Sequence, residues 1–376
     1  MATLRAGRAK VDVTPPVGTT MDGFAGRTGP SEGIHDRLFC RAIVLQNESK
    51  SVALASCDLA WLPALTVQEA RRLTKAAGID LRILAATHNH SGPAMADFLV
   101  GPTSLGTEYV RSLPGLISDT ILKARQEMQE VRVGTANGRA KGSTNRRKAS
   151  GETDSEVLAA VLMNDASQPL AGILNYACHP TVLGEQNRQI SADYPGRCAE
   201  QIERRFGEGF VCLFLNGACG DINPRTCVGY DCKGTFKDVE SMARKVSDAV
   251  PSTPEFAVLQ GDGGIRVASS VAGPFAPYGL RFGMEALRLG GLVILGIPGE
   301  VFASTGLWLK GRLPSDRLMI SCYTNGYVGY LPTKDAFVRG DYETKWVCWV
   351  DESAEEVIRA RAAALVEDVM REGASP

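Results

Sequence analysis

Histidine is scarce in this chain. Its 376 residues contain four, His35, His88, His90 and His179, so imidazole chemistry has few places to sit. No apolar run reaches about 18 residues, which excludes a membrane-spanning helix. Neither sign of charge is in excess. The net charge of −1 gives no electrostatic reason to expect a nucleic acid or an anionic surface as partner. The ten cysteines include no Cys-x-x-Cys pair, so a zinc-ribbon or thioredoxin-type motif is missing. Several cysteines (Cys57, Cys212, Cys322) stand in apolar runs and read as reduced thiols of a cytoplasmic protein. Cys219, Cys227 and Cys232 cluster in sequence, where free thiols are the preferred reading over a structural zinc. The opening Met1-Ala2-Thr3-Leu4-Arg5 lacks an apolar core of about 7–15 residues, so no leader peptide is expected. Sequence repeats, linkers and low-complexity tracts are also missing. What remains, 44% hydrophobic and 22% charged, is an ordinary globular composition.

The scarce histidines are not scattered. Ile83 to Ala86 reads as a buried strand that runs into Thr87-His88-Asn89-His90-Ser91-Gly92-Pro93. Residues i and i+2 of an extended chain share a face, which would turn His88 and His90 into one pocket at the strand's carboxyl end. Open α/β sheets place ligands there. A second strand, Ala171 to Ala177, ends in Cys178-His179-Pro180, and a third, Leu292 to Gly296, ends in Ile297-Pro298-Gly299-Glu300. Three histidines and a glutamate at strand ends match a catalytic zinc of the His, His, Glu kind with an open coordination position. Zinc lowers the pKa of bound water to about 7. The remaining histidine of the His-x-His pair is then free to stabilise an oxyanion or carry a proton.

Elsewhere strands and helices alternate, which predicts an α/β fold: a mixed sheet flanked by helices, with the site at the strands' C-terminal ends. Strands are expected over Leu38 to Gln46 and Ser51 to Cys57, joined by a hairpin turn at Asn47-Glu48-Ser49-Lys50. Asp58 follows as a helix N-cap or as support for a metal-bound histidine. Helices are expected over Ala64 to Ala77, 107–129 with Pro114 as an interruption or boundary, from the stretch Ser191 to Gly196 to about Phe206, Lys237 to Val250, and Ala354 to Arg371. Ala268 to Gly279, small and turn-rich, reads as a rim loop. The basic loop Lys141 to Lys148 offers an arginine, Arg146 or Arg147, to bind an oxyanion or carboxylate.

Thr87-His88-Asn89-His90-Ser91-Gly92-Pro93 resembles the Thr-His-x-His-Ser-Gly-Pro motif of the neutral, non-lysosomal ceramidases. Asp12-Val13-Thr14 with Met21-Asp22-Gly23-Phe24, then Gly33-Ile34-His35 with Arg41-Ala42, resemble that family's N-terminal signature. Asn145-Arg146, Tyr176 to Thr181, Ser191 to Gly196, Gly220-Asp221, Pro298-Gly299-Glu300 and Asn325 to Tyr330 follow in the family's order, so the likeness runs over roughly residues 5–345. It implies hydrolysis of an amide bond at one zinc per chain. The ligands would be His88, His179, Glu300 and Tyr330, with Tyr327 competing because the spacing after Glu300 is shorter than in the ceramidases. His90, Arg146 and Tyr342 would be the supporting catalytic groups, and the partner a small-molecule amide.

Two departures qualify this. The family's Gly-Asp-x-Ser-Pro reads Gly220-Asp221-Ile222-Asn223-Pro224 here, so no serine nucleophile stands at that point. The chain also closes after one helix, where ceramidases continue into an immunoglobulin-like domain. The expectation is therefore one catalytic domain over residues 1–376, cytoplasmic, acting on an amide smaller or more polar than ceramide. A metal-dependent esterase or lactonase would use the same site. A binuclear hydrolase is a further alternative, although Ser91-Gly92-Pro93 breaks the His-x-His-x-Asp-His form. A non-catalytic metal- or ligand-binding relative is the alternative from another class.

Overall fold

Leu158, Ala160 and Leu162 place every second side chain on one face of a strand. Ile43 and Leu45 do the same on another strand, as do Leu287 and Leu289 on a third, and the three faces meet in one apolar cluster. Each of these strands belongs to a different sheet. The structure is a computed structural model that describes residues 3–95, 104–148, 150–252, 255–259, 264–312 and 317–371.

The chain lays down the same order of elements three times. The first pass is β1 (Arg5–Asp12), β2 (Phe39–Gln46), β3 (Ser51–Cys57), α1 (Ala64–Leu73), β4 (Leu81–Ala86) and α2 (Ser104–Gln126). The second is β5 (Arg132–Arg139), β6 (Glu156–Met163), β7 (Pro169–Tyr176), α3 (Asp193–Phe206), β8 (Val211–Asn216) and α4 (Phe236–Ser247). The third is β9 (Ile265–Phe275), β10 (Leu280–Leu289), β11 (Leu292–Gly296), α5 (Ala303–Lys310) and β12 (Leu318–Ser321), followed later by the C-terminal helix Ala354–Met370. In each sheet the first three strands are antiparallel neighbours, and the fourth joins the edge in parallel through a helical crossover. The predicted mixed sheet flanked by helices is thus three mixed sheets, one face of each turned to the shared core and helices packed on the others. The sequence shows no repeat; the repeat is one of topology.

Local chemistry explains the turns. Asn47 Oδ1 accepts from the backbone N–H of Ser49 and Lys50, which closes the predicted hairpin. Gly78, at φ 63°, ends the helical stretch after α1 as expected of a C′ glycine. Two expectations are corrected. Helix α2 runs through Pro114, because Leu113, Ile117, Ile121 and Ala124 bury one continuous apolar face there. Ala268 to Phe275 of the expected rim loop lie in β9, held by pairing with β10 up to Ala272 and again at Phe275.

The three parallel pairs, β3/β4, β7/β8 and β11/β12, end side by side. Asn216 Nδ2 donates to Thr87 O at 3.0 Å, Cys322 N to Asn216 O at 2.9 Å, and Ala86 N to Tyr323 O at 3.1 Å. All three sheets therefore deliver their C-terminal loops to one place.

Candidate metal centre

His88 does not reach the site by strand alternation. Strand β4 stops at Ala86, and His88 takes φ 67°, a left-handed turn that few side chains adopt. The turn is fixed by Asn89, whose Nδ2 donates to Asp58 O and Ser191 O while Oδ1 accepts from Ser91 N. His88 Nδ1 lies 2.8 Å from Ala60 O. A carbonyl can only accept, so Nδ1 carries a proton and Nε2 is the nitrogen turned to the site. The ring stacks on Tyr323, centroids 3.9 Å apart.

His179, past the end of β7, is fixed the same way: Nδ1 donates to Cys219 O at 2.7 Å and Ile222 O at 3.1 Å. Its Nε2 is buried without a hydrogen bond and faces Glu300 Oε2 at 3.0 Å. Glu300 sits in a two-residue parallel pairing with Tyr330, and Oε2 also stands 3.5 Å from His88 Nε2. Gly220 packs on its backbone so closely that a Cβ there would lie 2.4 Å from Glu300 O. His90 Nε2 is 3.0 Å from His88 Nε2, and the metal-capable nitrogens of His88, His90 and His179 all lie within 4.8 Å of one another.

Burial, with Arg146 adding to it, holds His179 down at about 4. Burial and the neighbouring imidazoles push His90 well down as well. Both rings are therefore neutral at pH 7. His179 Nε2, its tautomer locked by two carbonyls, then faces the Glu300 carboxylate with no proton between them. A cation completes that donor set, and the backbone carbonyls orient the imidazoles as ligands require. The residues fit a divalent metal of nitrogen and oxygen preference.

The remaining predicted residues lie around this centre. Tyr327 Oη donates to Glu300 Oε1 at 2.5 Å. Tyr330 Oη instead accepts from Arg146 Nη2 at 3.0 Å. The guanidinium of Arg146 is buried, donating also from Nε to Glu343 Oε1 at 2.8 Å, Nη1 to Asn223 Oδ1 at 3.2 Å and Nη2 to Gly220 O at 2.7 Å. Arg147 points elsewhere, into Asp341, Asp335 and Asp221. Tyr342, exposed at the rim, has its ring 6.2 Å from that of Tyr330.

Sequence reasoning missed three neighbours. Tyr323 lies under His88 with its hydroxyl 3.5 Å from Glu300 Oε2. Glu343 and Tyr230 flank Arg146. Position next to Tyr342 was the only sequence signal for Glu343. Two expectations are overturned. Asp58 neither caps a helix nor supports a metal ligand; its Oδ2 accepts from Arg41 Nη1 at 2.7 Å and Phe39 N at 2.9 Å, so it neutralises a buried cation. Cys227 and Cys232 are not free thiols but a disulfide, closing a hairpin of facing residues; Cys219 is a free thiol.

The family described as "Neutral/alkaline non-lysosomal ceramidase, N-terminal" matches residues 4–262. Neutral ceramidase of Drosophila melanogaster is 26% identical over 255 residues, which is 59% of this chain and 36% of that protein. Neutral ceramidase A of Dictyostelium discoideum is 27% identical over 250 residues, 57% and 35% of the two chains. The matched part thus spans about a third of the length of these curated relatives. Among solved structures, one titled "Ceramidase complexed with C2" superposes with a TM-score of 0.82 at 16% identity, over 100% of this chain and 77% of the other. Neutral ceramidase from Pseudomonas aeruginosa gives 0.79 at 17%, over 100% and 76%. At such identities the likeness is one of fold, and it is the fold that reaches Glu300, Tyr330 and Tyr342. With the family match covering residues 4–262, the chain belongs to the neutral/alkaline non-lysosomal ceramidases.

Proposed function

We propose that the chain is a zinc-dependent hydrolase of an N-acyl amide bond, with one metal per chain. The observation that carries this reading is the convergence of His88 Nε2, His179 Nε2 and Glu300 Oε2, each imidazole oriented by a backbone carbonyl at its Nδ1. These three residues and Tyr330 would hold the zinc, with Tyr327 as the competing fourth ligand. Zinc bound there would supply a Lewis acid and activate water near neutral pH.

The chain's own residues do the rest. His90 is neutral and adjoins the ligands, so it can take a proton and return it to the departing amine. Arg146 and Tyr342 hold the carbonyl oxygen as it gains charge, Arg146 partly by aiming the Tyr330 hydroxyl. Asn223, which approaches Arg146, offers no nucleophile.

Residues 1–376 are taken as one catalytic domain, and the substrate as an amide smaller or more polar than ceramide. Tyr230, Tyr342 and Trp346, exposed on and beside the segments that flank Arg146, weigh against a wholly polar acyl group. The Cys227–Cys232 disulfide weighs against the cytoplasmic placement. No described helix is long and apolar enough to cross a membrane.

The test is elemental analysis of purified protein and a His88→Ala variant, beside an N-acyl amide panel running from acetyl amides to ceramide. About one zinc per chain, lost in the variant together with amide cleavage, supports the reading. Protein that takes up no zinc, or cleaves esters but no amides, overturns it.

A further inference from the structure

Beside the metal-type cluster, a closed polar cage surrounds Arg146. Four of its five N–H donors are engaged: Nε by Glu343, Nη1 by Asn223, and Nη2 by Gly220 O and Tyr330 Oη. Glu343 is fully buried, and its carboxylate also accepts from Tyr230 Oη, 3.1 and 3.2 Å from its two oxygens. The Arg146 guanidinium lies over the Tyr230 ring at 5.0 Å. Tyr230 itself stands at the tip of the hairpin closed by Cys227 and Cys232, and Asn223 Nδ2 donates to Gly229 O in that same tip. Glu343 belongs to the single helical turn Tyr342–Lys345, so it directly follows Tyr342.

We propose that Glu343 and Tyr230 are positioning residues of the active site, which act through Arg146 and do not touch substrate. The inference rests on the reading of Arg146 and Tyr342 as catalytic groups. A guanidinium is planar, so anchoring Nε and Nη1 fixes the direction of Nη2. Glu343 supplies the Nε anchor and the charge that a buried arginine requires. Tyr230 satisfies the carboxylate from the open side and covers the guanidinium face. The result is one orientation of Arg146, with Nη2 aimed at Tyr330 Oη, and one seat for the turn that carries Tyr342.

Two measurements test this on the purified, metal-loaded protein. In amide hydrolysis, Glu343→Gln lowers kcat about 10- to 100-fold with KM nearly unchanged, the scale of a misplaced catalytic group. Tyr230→Phe, which keeps the ring on a half-exposed hairpin, lowers kcat less, and Tyr230→Ala more. Added to Arg146→Ala, Glu343→Gln costs nothing further, because its effect passes through the missing guanidinium. A merely structural role would give additive losses. Independently of turnover, isotope-labelled arginine spectra show a slowly exchanging Arg146 Nε–H that exchanges faster in Glu343→Gln and Tyr230→Phe. If Arg146→Ala is impaired while both variants match the parent, or if the Nε–H exchanges equally in all three, this inference falls and the hydrolase reading stands. If Arg146→Ala cleaves as well as the parent, the catalytic role of Arg146 falls, and the exchange rates alone then decide whether Glu343 and Tyr230 fix it.

Discussion

His90 stands against Gly23 so closely that a Cβ at residue 23 would lie 2.5 Å from His90 Cγ. Gly23 also adopts φ 100°, which only glycine takes without strain. Phe24 packs edge-on to the imidazole at 5.2 Å, and Arg27 Nη2 donates to His90 O at 2.8 Å, so the loop 22–27 holds the histidine from outside. Gly23→Ala is expected to displace His90 and lower kcat about 100-fold or more, with the fold kept by circular dichroism.

His90 also tests the division of labour among the three histidines. As a proton carrier, it can be replaced by glutamine with zinc still bound and kcat about 100- to 10,000-fold lower. As a ligand, it cannot. Elemental analysis of His90→Gln beside His179→Gln separates the two cases: zinc retained in the first and lost in the second is the expected pair. Loss of zinc in both would make His90 part of the metal set.

Much of this site was legible because strand ends write themselves plainly. An apolar run stopped by a Gly-Pro, Pro or Pro-Gly turn locates His88, His179 and Glu300 without any tertiary information. The route was less legible than the destination: His88 and His90 converge through a left-handed turn rather than by alternation, fixed by Ala60 outside the motif and by Asn89 at the motif's unspecified position. The threefold repeat of sheets left no trace because topology needs only the pattern of apolar positions, not the same residues. Strand β9 was hidden for a related reason. Ala268, Ser269, Ser270 and Ala272 carry little apolar alternation, and the strand forms by pairing with β10. Asp58 was misjudged because its partner Arg41 lies in the neighbouring strand, a relation that register decides.

That register predicts a separation of stability from metal binding. Arg41 is buried between Asp58 Oδ2 and Glu203 Oε1, at 2.7 and 3.0 Å. Asp58→Ala leaves it with one carboxylate and is expected to cost about 3 kcal/mol or more in urea unfolding, near the lower end for a broken buried pair. Zinc content should match the parent. A variant that folds as stably as the parent but binds no zinc would restore Asp58 as support for a metal ligand.

The thiol count follows directly from the Cys227–Cys232 bond. The sequence has ten cysteines, and eight of them are free. Denatured, unreduced protein should therefore react with eight equivalents of a thiol reagent, and with ten after reduction. Ten without reduction would return the pair to the free thiols the sequence suggested and, with them, a reducing compartment.

The neutral state of His179 sets a pH dependence in the metal-stripped protein. In the unfolded chain this imidazole titrates near its ordinary value of 6.5, whereas in the folded chain burial and Arg146 hold it down at about 4. Between those values the unfolded state binds more protons, so unfolding becomes easier as pH falls from 6.5 toward 4. The contribution of His179 is complete above that window and lost below it, at most about 3 kcal/mol. Urea unfolding of the chelator-treated protein at pH 7 and pH ~4.5 should show the loss, and His179→Gln should flatten it. Equal pH slopes for parent and variant would mean that His179 keeps its ordinary pKa in the folded state, and a parent that gains stability over the variant as pH falls would make Glu300, 3.0 Å away, its ion-pair partner rather than a fellow ligand.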